Sequence, residues 1–114
     1  MSELSVDIKG RVQKRISDYS DNSDLINELI ATVTDRLCIR LDEESLPTKF
    51  ASICVDAVVK AYRRVYFEGI TSEGVENLST SFVEDILSEY SMEILLWNER
   101  KANVSGSGKT LRFL

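Results

Sequence analysis

Residues 47–82 read PTKFASICVDAVVKAYRRVYFEGITSEGVENLSTSF, and this stretch decides the fold. In its first half, apolar residues recur at spacings of three and four, which places them on one face of a helix: Phe50, Ile53, Cys54, Ala57, Val58, Ala61 and Val65. A second apolar set follows the same period on another face: Val55, Val59, Tyr62 and Tyr66. A helix that is apolar around most of its circumference is buried on more than one side, either within its own chain or against a neighbouring subunit.

The two ends of this central helix carry their own signals. Pro47 suits the first turn of a helix, where its missing N–H costs nothing. Gly69 suits the left-handed residue that ends one. After Gly69 the helical period breaks, and residues 70–80 are compatible with either a short extended or hairpin segment or a long loop.

Three further helices are predicted around the central one. Leu4, Ile8, Val12 and Ile16 step by four and predict a short amphipathic helix, which Gly10 weakens. A turn at residues 19–24 precedes a second helix over about residues 24–40, with Asn22 or Ser23 as its cap.

The last predicted helix begins at Ser81, because Ser81 and Glu84 have the spacing of a capping box. Its apolar face comprises Val83, Ile86, Leu87, Tyr90, Ile94 and Trp97. The sequence therefore predicts a mainly α protein: a small bundle of about four helices over residues 1–101, a short extended or hairpin segment within it, and a flexible C-terminal tail over residues 102–114.

The tail reads ANVSGSGKTLRFL, a Gly/Ser linker followed by a basic and apolar peptide. Such a peptide suits insertion into a partner, and the predicted partner-binding residues are Lys109, Leu111, Arg112, Phe113 and Leu114. A frayed chain end is the alternative. Residues 103–110 come close to a phosphate-binding P-loop, but the motif requires Gly where Asn103 stands and a strand before it.

Composition argues against catalysis and against a membrane protein. At 114 residues the chain is one domain, and no apolar run is long enough to cross a bilayer. The chain has no histidine, which removes the commonest general base and metal ligand. Cys38 and Cys54 have neither disulfide-framework nor zinc spacing, and we expect two buried free thiols. We therefore expect a non-enzymatic protein without cofactor or metal.

The net charge of −5 is unevenly distributed along the chain. No Lys or Arg occurs between Arg64 and Arg100, a segment that contains eight acidic residues. This balance disfavours tight nucleic-acid binding, which needs phosphate neutralisation. An acidic middle between two basic ends suits contact with another copy of the chain or with another protein, and a solvated helix face is the alternative.

The pattern YRRVYFEGITSEGVENLSTSF at residues 62–82 resembles the head–tail connector (adaptor) family of long-tailed bacteriophages. The resemblance implies a structural virion protein at the head–tail interface, present in the host cytoplasm during assembly. Its subunits would form a homo-oligomeric ring of about twelve copies below the portal protein. That ring would extend the DNA channel, let DNA pass without tight binding, and contact a stopper or other tail-proximal connector protein.

With this resemblance, candidate sites can be assigned. The subunit-interface candidates are Tyr62, Tyr66, Ile70, Val75, Leu78 and Phe82. The channel-facing candidates are Glu84, Glu89 and Glu93. The alternative function is a small soluble helical regulatory or adaptor protein that acts as a dimer. A DNA-binding regulator fits less well, because the basic run Lys60 to Arg64 is short and interleaved with apolar residues.

Overall fold

The computed structural model describes residues 3–68 and 80–105, with side chains described for residues 4–65 and 83–103. Five α-helices occur there: α1 (Glu3–Arg15), α2 (Ser23–Leu41), α3 (Ala51–Glu68), α4 (Thr80–Leu87) and α5 (Ser91–Ser105). Short 3₁₀ turns at Tyr19–Asn22, Thr48–Phe50 and Ser88–Tyr90 join them. No strand occurs in this part of the chain, and the predicted mainly α bundle is confirmed.

Helix α3 is the centre of the bundle. It packs against α1, α2 and α4, whereas α1 and α2 make little contact with each other. Both of its predicted apolar faces are buried, and the fully buried residues are Cys54, Ala57, Val58, Val59, Ala61 and Val65. The two faces are therefore covered by the chain's own helices.

The predicted subunit interface includes Tyr62, but the structure places this residue in the core. Its side chain is only 5% exposed, and its hydroxyl donates a hydrogen bond to Asp18 Oδ2 at 2.9 Å. The same hydroxyl accepts one from Asn22 Nδ2 at 3.0 Å. Because both partners belong to its own chain, Tyr62 is a core residue that joins α3 to the α1–α2 connection.

Asn22 also differs from its predicted capping role. It occupies the N-cap of α2, but its side chain makes no capping hydrogen bond. Its amide donates instead to the Asp18 carbonyl oxygen and to Tyr62. Tertiary contact with α3 therefore replaces the local cap.

The connection between α2 and α3 has an Asp where a Gly is usual. Asp42 is left-handed, with φ of 57°, a conformation that Asp tolerates better than most residues. Its N–H bonds to the Ile39 carbonyl oxygen at 3.2 Å, and the Glu43 N–H bonds to that of Cys38 at 3.0 Å. These two bonds form a Schellman motif that ends α2.

Pro47 lies one turn earlier than predicted. It is the N-cap of the Thr48–Phe50 turn, with φ of −64° and ψ of 142°, and it precedes α3 instead of opening it. The Phe50 N–H bonds to the Pro47 carbonyl oxygen at 2.9 Å. This turn directs the Phe50 ring into the core.

The predicted fourth helix is divided in two. A 3₁₀ turn separates α4 from α5, and the hydroxyls of Ser88 and Ser91 each bond to the carbonyl oxygen three residues earlier. The predicted apolar face is buried from Val83 to Ile94, and Trp97 is half-buried. Helix α5 continues to Ser105, so residues 102–105, predicted as linker, are helical.

Several predictions fall on residues outside the described part. These are the helix end at Gly69, the extended or hairpin segment, and the tail residues after Ser105.

Ala57→Asp should unfold the domain. Ala57 is fully buried in α3, and an unpaired charge there costs several kcal/mol, which is comparable with the whole stability of a small domain. Ser52→Asp, on the exposed side of the same helix, is the control and should melt like the wild type. Circular dichroism melting tests both, and a folded Ala57→Asp protein would contradict the central position of α3.

Gly10→Ala should stabilise the protein by about 0.5–1 kcal/mol, because Gly in a helix interior is less favourable than Ala by that amount. A methyl group at Gly10 would meet no atom within 4 Å, so no packing cost opposes the gain. Urea denaturation measures the change. An unchanged or lower free energy of unfolding would show that α1 frays at this position.

Candidate functional site

The acidic α4 packs beside basic residues of α2. Glu84 accepts a hydrogen bond from Arg36 Nε at 2.8 Å. It also forms a second ion pair, with Arg40. Burial by itself disfavours a charged Glu84, but these two guanidinium groups outweigh it and hold its pKa below the usual value. Glu84 therefore bonds to α2, whereas the side chain of Ser81, its partner in the predicted capping box, lies outside the described residues.

A second group of ion pairs joins α3 to the α4–α5 region. Lys60 Nζ lies 2.6 Å from Glu89 Oε1 and 4.9 Å from the centre of the Tyr90 ring. The hydrogen bond to Glu89, followed by that to Tyr90, raises the pKa of Lys60. Arg64 pairs with Asp85 at 3.2 Å. We call these contacts, with those of Glu84, the ion-pair seam.

These ion pairs bear on the residues predicted to face the channel. Of the three predicted channel-facing residues, Glu84 and Glu89 are paired within the chain. Glu93 is exposed, and no ion pair of Glu93 occurs with the described residues. Glu84 is half-buried between Arg36 and Arg40, so it does not belong to a solvated face. Asp85 and Glu89 are exposed, as the solvated-face alternative predicts, and each also pairs with a cation of α3. A channel-facing position for Glu93 stays a prediction.

Among the described residues of the second half of the chain, the large exposed apolar side chains lie on α5. Met92, Leu95 and Leu96 are 63%, 51% and 48% exposed, and their spacing of three and four places them on one face. We call this set the α5 stripe. Glu93 and Glu99 are exposed beside it.

Sequence reasoning missed the α5 stripe although a signal was present. In the run from Ser91 to Trp97, the core face takes Ile94 and Trp97. Met92, Leu95 and Leu96 then fall on another side of the same helix. Once a helix has one face assigned to the core, apolar residues left over on another side indicate a second contact surface.

The outer surface of α1 is basic. Arg11, Lys14 and Arg15 line a shallow depression of about 240 Å³ together with Ser52 and Val55 of α3. Arg15 pairs with Asp56 of α3 at 2.9 Å, and Lys14 is exposed. This surface has the opposite charge to the acids beside the α5 stripe.

The two thiols are poor nucleophiles. Burial raises the pKa of Cys54 to about 11, and burial together with the Asp35 and Glu43 carboxylates raises the pKa of Cys38. Both therefore remain protonated at neutral pH. Cys54 is fully buried and Cys38 partly so, each as a free thiol.

The other predicted interface and tail residues lie outside the described part of the chain. This holds for Ile70, Val75, Leu78 and residues 109–114 as a whole, and for the side chains of Tyr66 and Phe82. The near-P-loop begins inside α5, since Asn103 to Ser105 are helical. Within residues 3–68 and 80–105, no group of three acidic or sulfur ligands is close enough to hold a metal ion. No helix of that part has the length and apolar character of a membrane span.

Glu84→Gln should lower the free energy of unfolding at neutral pH by about 1–2 kcal/mol, because Arg36 and Arg40 lose their shared carboxylate. The folded-state pKa of Glu84 lies below its unfolded value near 4.3. This stabilisation is therefore complete above that value and is lost as the pH falls through the folded-state pKa. Urea denaturation at several pH values should show the variant and the wild type converging in acid.

Glu93→Gln makes the same chemical change at an exposed carboxylate and is the control. We expect it to change stability by less than about 0.5 kcal/mol at any pH. Equal effects of the two variants would show that the guanidinium groups do not stabilise the fold through Glu84.

Comparisons of the chain with protein-family models, curated proteins and solved structures found no match. The connector resemblance of residues 62–82 therefore stays a prediction from the sequence.

Proposed function

We propose that the chain is a structural subunit of the head–tail connector of a long-tailed bacteriophage. In this proposal it forms a ring below the portal protein, extends the DNA channel and binds a stopper or similar tail-proximal protein. Its place is the head–tail interface of the virion, reached from the host cytoplasm during assembly. The exposed α5 stripe carries the self-association part of the proposal, because exposed apolar side chains grouped on one helix face mark an interaction site. The connector part rests on the resemblance of residues 62–82.

Charge supports a contact between unlike surfaces of two copies. The acids beside the α5 stripe, Glu93 and Glu99, can face the basic outer surface of α1, where Lys14 is exposed. A contact between two different surfaces is heterologous, and it generates a ring when the rotation between subunits closes. In a closed ring, each copy would then use both surfaces, one toward each neighbour.

The ion-pair seam supports passage of DNA without tight binding. Four cations that could otherwise contact phosphates are already held by carboxylates of the same chain: Arg36, Arg40, Lys60 and Arg64. Tight binding depends on Lys and Arg groups that are available to replace counterions. A channel wall built from this chain would therefore hold DNA weakly.

A soluble dimeric regulator is the second candidate, and the same α5 stripe supports it. Two copies could bury the stripe against itself about a twofold axis, which is an isologous contact. Stoichiometry separates the candidates, since a ring contains many copies and the dimer contains two. The dimer also needs no portal protein.

The double substitution Leu95→Asp with Leu96→Asp should abolish ring formation and leave the fold intact. Both side chains are half-exposed, so the new charges stay in water in the monomer but would be buried in an interface. The measurement is electron microscopy and analytical ultracentrifugation of the protein with purified portal protein.

Ile39→Asp is the matched control, because Ile39 is a similarly exposed apolar residue on α2, outside the two surfaces proposed to meet, at 62%. We expect it to assemble like the wild type. Rings of normal size from the double variant would exclude the α5 stripe as the contact. A wild-type protein that forms only dimers, with or without portal protein, would contradict the connector function.

A further inference from the structure

A groove of about 800 Å³ lies between α1 and α2. Its apolar lining comes from Leu4 and Ile8 of α1, Ile30 and Ile39 of α2, and Leu46 of the following loop. The groove exists because α1 and α2 both pack on α3 and barely contact each other. Ile39 is 62% exposed within it, so apolar surface remains uncovered. We call this feature the α1–α2 groove.

The α1–α2 groove is also negatively charged. Among the described residues that line it, the charged ones are Asp35 and Glu44, and neither Lys nor Arg contributes. An apolar floor with an acidic rim is complementary to an extended segment that alternates apolar and basic side chains.

The chain itself contains such a segment. Residues 109–114 read KTLRFL, in which Lys109 and Arg112 are basic and Leu111, Phe113 and Leu114 are apolar. We propose that the α1–α2 groove binds residues 109–114 of the same chain. The inference does not depend on ring formation or on the connector function.

The attachment point of the segment lies beside the groove. Lys101, in the last turns of α5, pairs with Glu43 at 3.0 Å and also bonds to the Leu41 and Asp42 carbonyl oxygens. Glu43 directly precedes Glu44 of the groove rim. These contacts hold α5 against the loop that borders the groove.

The length of the remaining chain permits binding within one molecule. From Lys101 to Ser105 the helix advances about 6 Å, at 1.5 Å per residue. The three residues between Ser105 and the binding segment can span about 10 Å when extended, more than the distance that α5 covers beyond Lys101. The sequence Gly106-Ser107-Gly108 provides the freedom to turn back.

Tethering also favours the same chain over another copy. A short flexible linker gives the attached segment an effective concentration of about millimolar. Burial of Leu111, Phe113 and Leu114 then has to offset only the ordering of a few residues, without the cost of bringing two molecules together.

Cys38 lines the α1–α2 groove and provides a reporter in the full-length chain. Cys54 is fully buried, so a small maleimide reacts first with Cys38. The triple variant Leu111→Ser, Phe113→Ser and Leu114→Ser should label at Cys38 roughly tenfold faster than the wild type, because the tethered segment no longer covers the groove. Lys109→Glu with Arg112→Glu should also accelerate labelling, and added salt should do so in the wild type.

The matched control is Ser107→Ala with Thr110→Ser, which alters the same segment without removing an apolar or charged group. It should label at the wild-type rate. Circular dichroism verifies that every variant is folded. Equal labelling of the wild type and the triple variant would overturn the proposal and leave the groove open to a different partner.

A disulfide test identifies the chain that supplies the segment. In Thr110→Cys, mild oxidation should link residue 110 to Cys38 within one molecule, giving a monomer with altered mobility on non-reducing electrophoresis. The additional change Cys38→Ser should abolish that product. A Cys38-dependent, disulfide-linked dimer would show that the segment binds a neighbouring copy and would overturn binding within one chain.

Discussion

Helix α3 carries apolar side chains on two faces, and water is excluded from both only if other helices cover each face. Helices α1, α2 and α4 provide this cover. Ala57 and Ala61 are fully buried in the contact, and such small side chains allow neighbouring helices to approach closely. Because α1 and α2 each pack on α3 and barely on each other, the space between them remains as the α1–α2 groove.

The same packing brings together the acidic and basic residues that are separated along the sequence. Helix α4 brings its carboxylates against cations of α2 and α3, as the pairs of Glu84 with Arg36 and of Asp85 with Arg64 show. Part of the acidic stretch, which contains no Lys or Arg of its own, is therefore balanced by cations of other helices in the same chain. Exposed pairs contribute little each, and Glu84 contributes more because it is half-buried and holds two guanidinium groups.

In the described part of the chain, two apolar surfaces remain uncovered after the core has formed, and they differ in shape. The α5 stripe projects from a single helix, so it needs the surface of another molecule to cover it. The α1–α2 groove is concave and narrow, so an extended segment can fill it. Both are bordered by acids, Glu93 and Glu99 for the stripe and Asp35 and Glu44 for the groove. A basic occupant suits each surface: the outer surface of α1 provides basic groups for the stripe, and residues 109–114 contain both basic and apolar side chains for the groove.

The sequence by itself determined the mainly α class, the central helix and its two buried faces, because helical geometry fixes side-chain direction from residue number alone. It could not place Tyr62, whose hydroxyl partners Asp18 and Asn22 lie 44 and 40 residues away. Nor could it show which acids pair with cations of other helices, or that the Asn22 side chain bonds to Asp18 and Tyr62 instead of capping α2. Local periodicity depends only on neighbouring residues, whereas ion pairs, exposed stripes and grooves depend on which helices meet, and only the tertiary structure decides that.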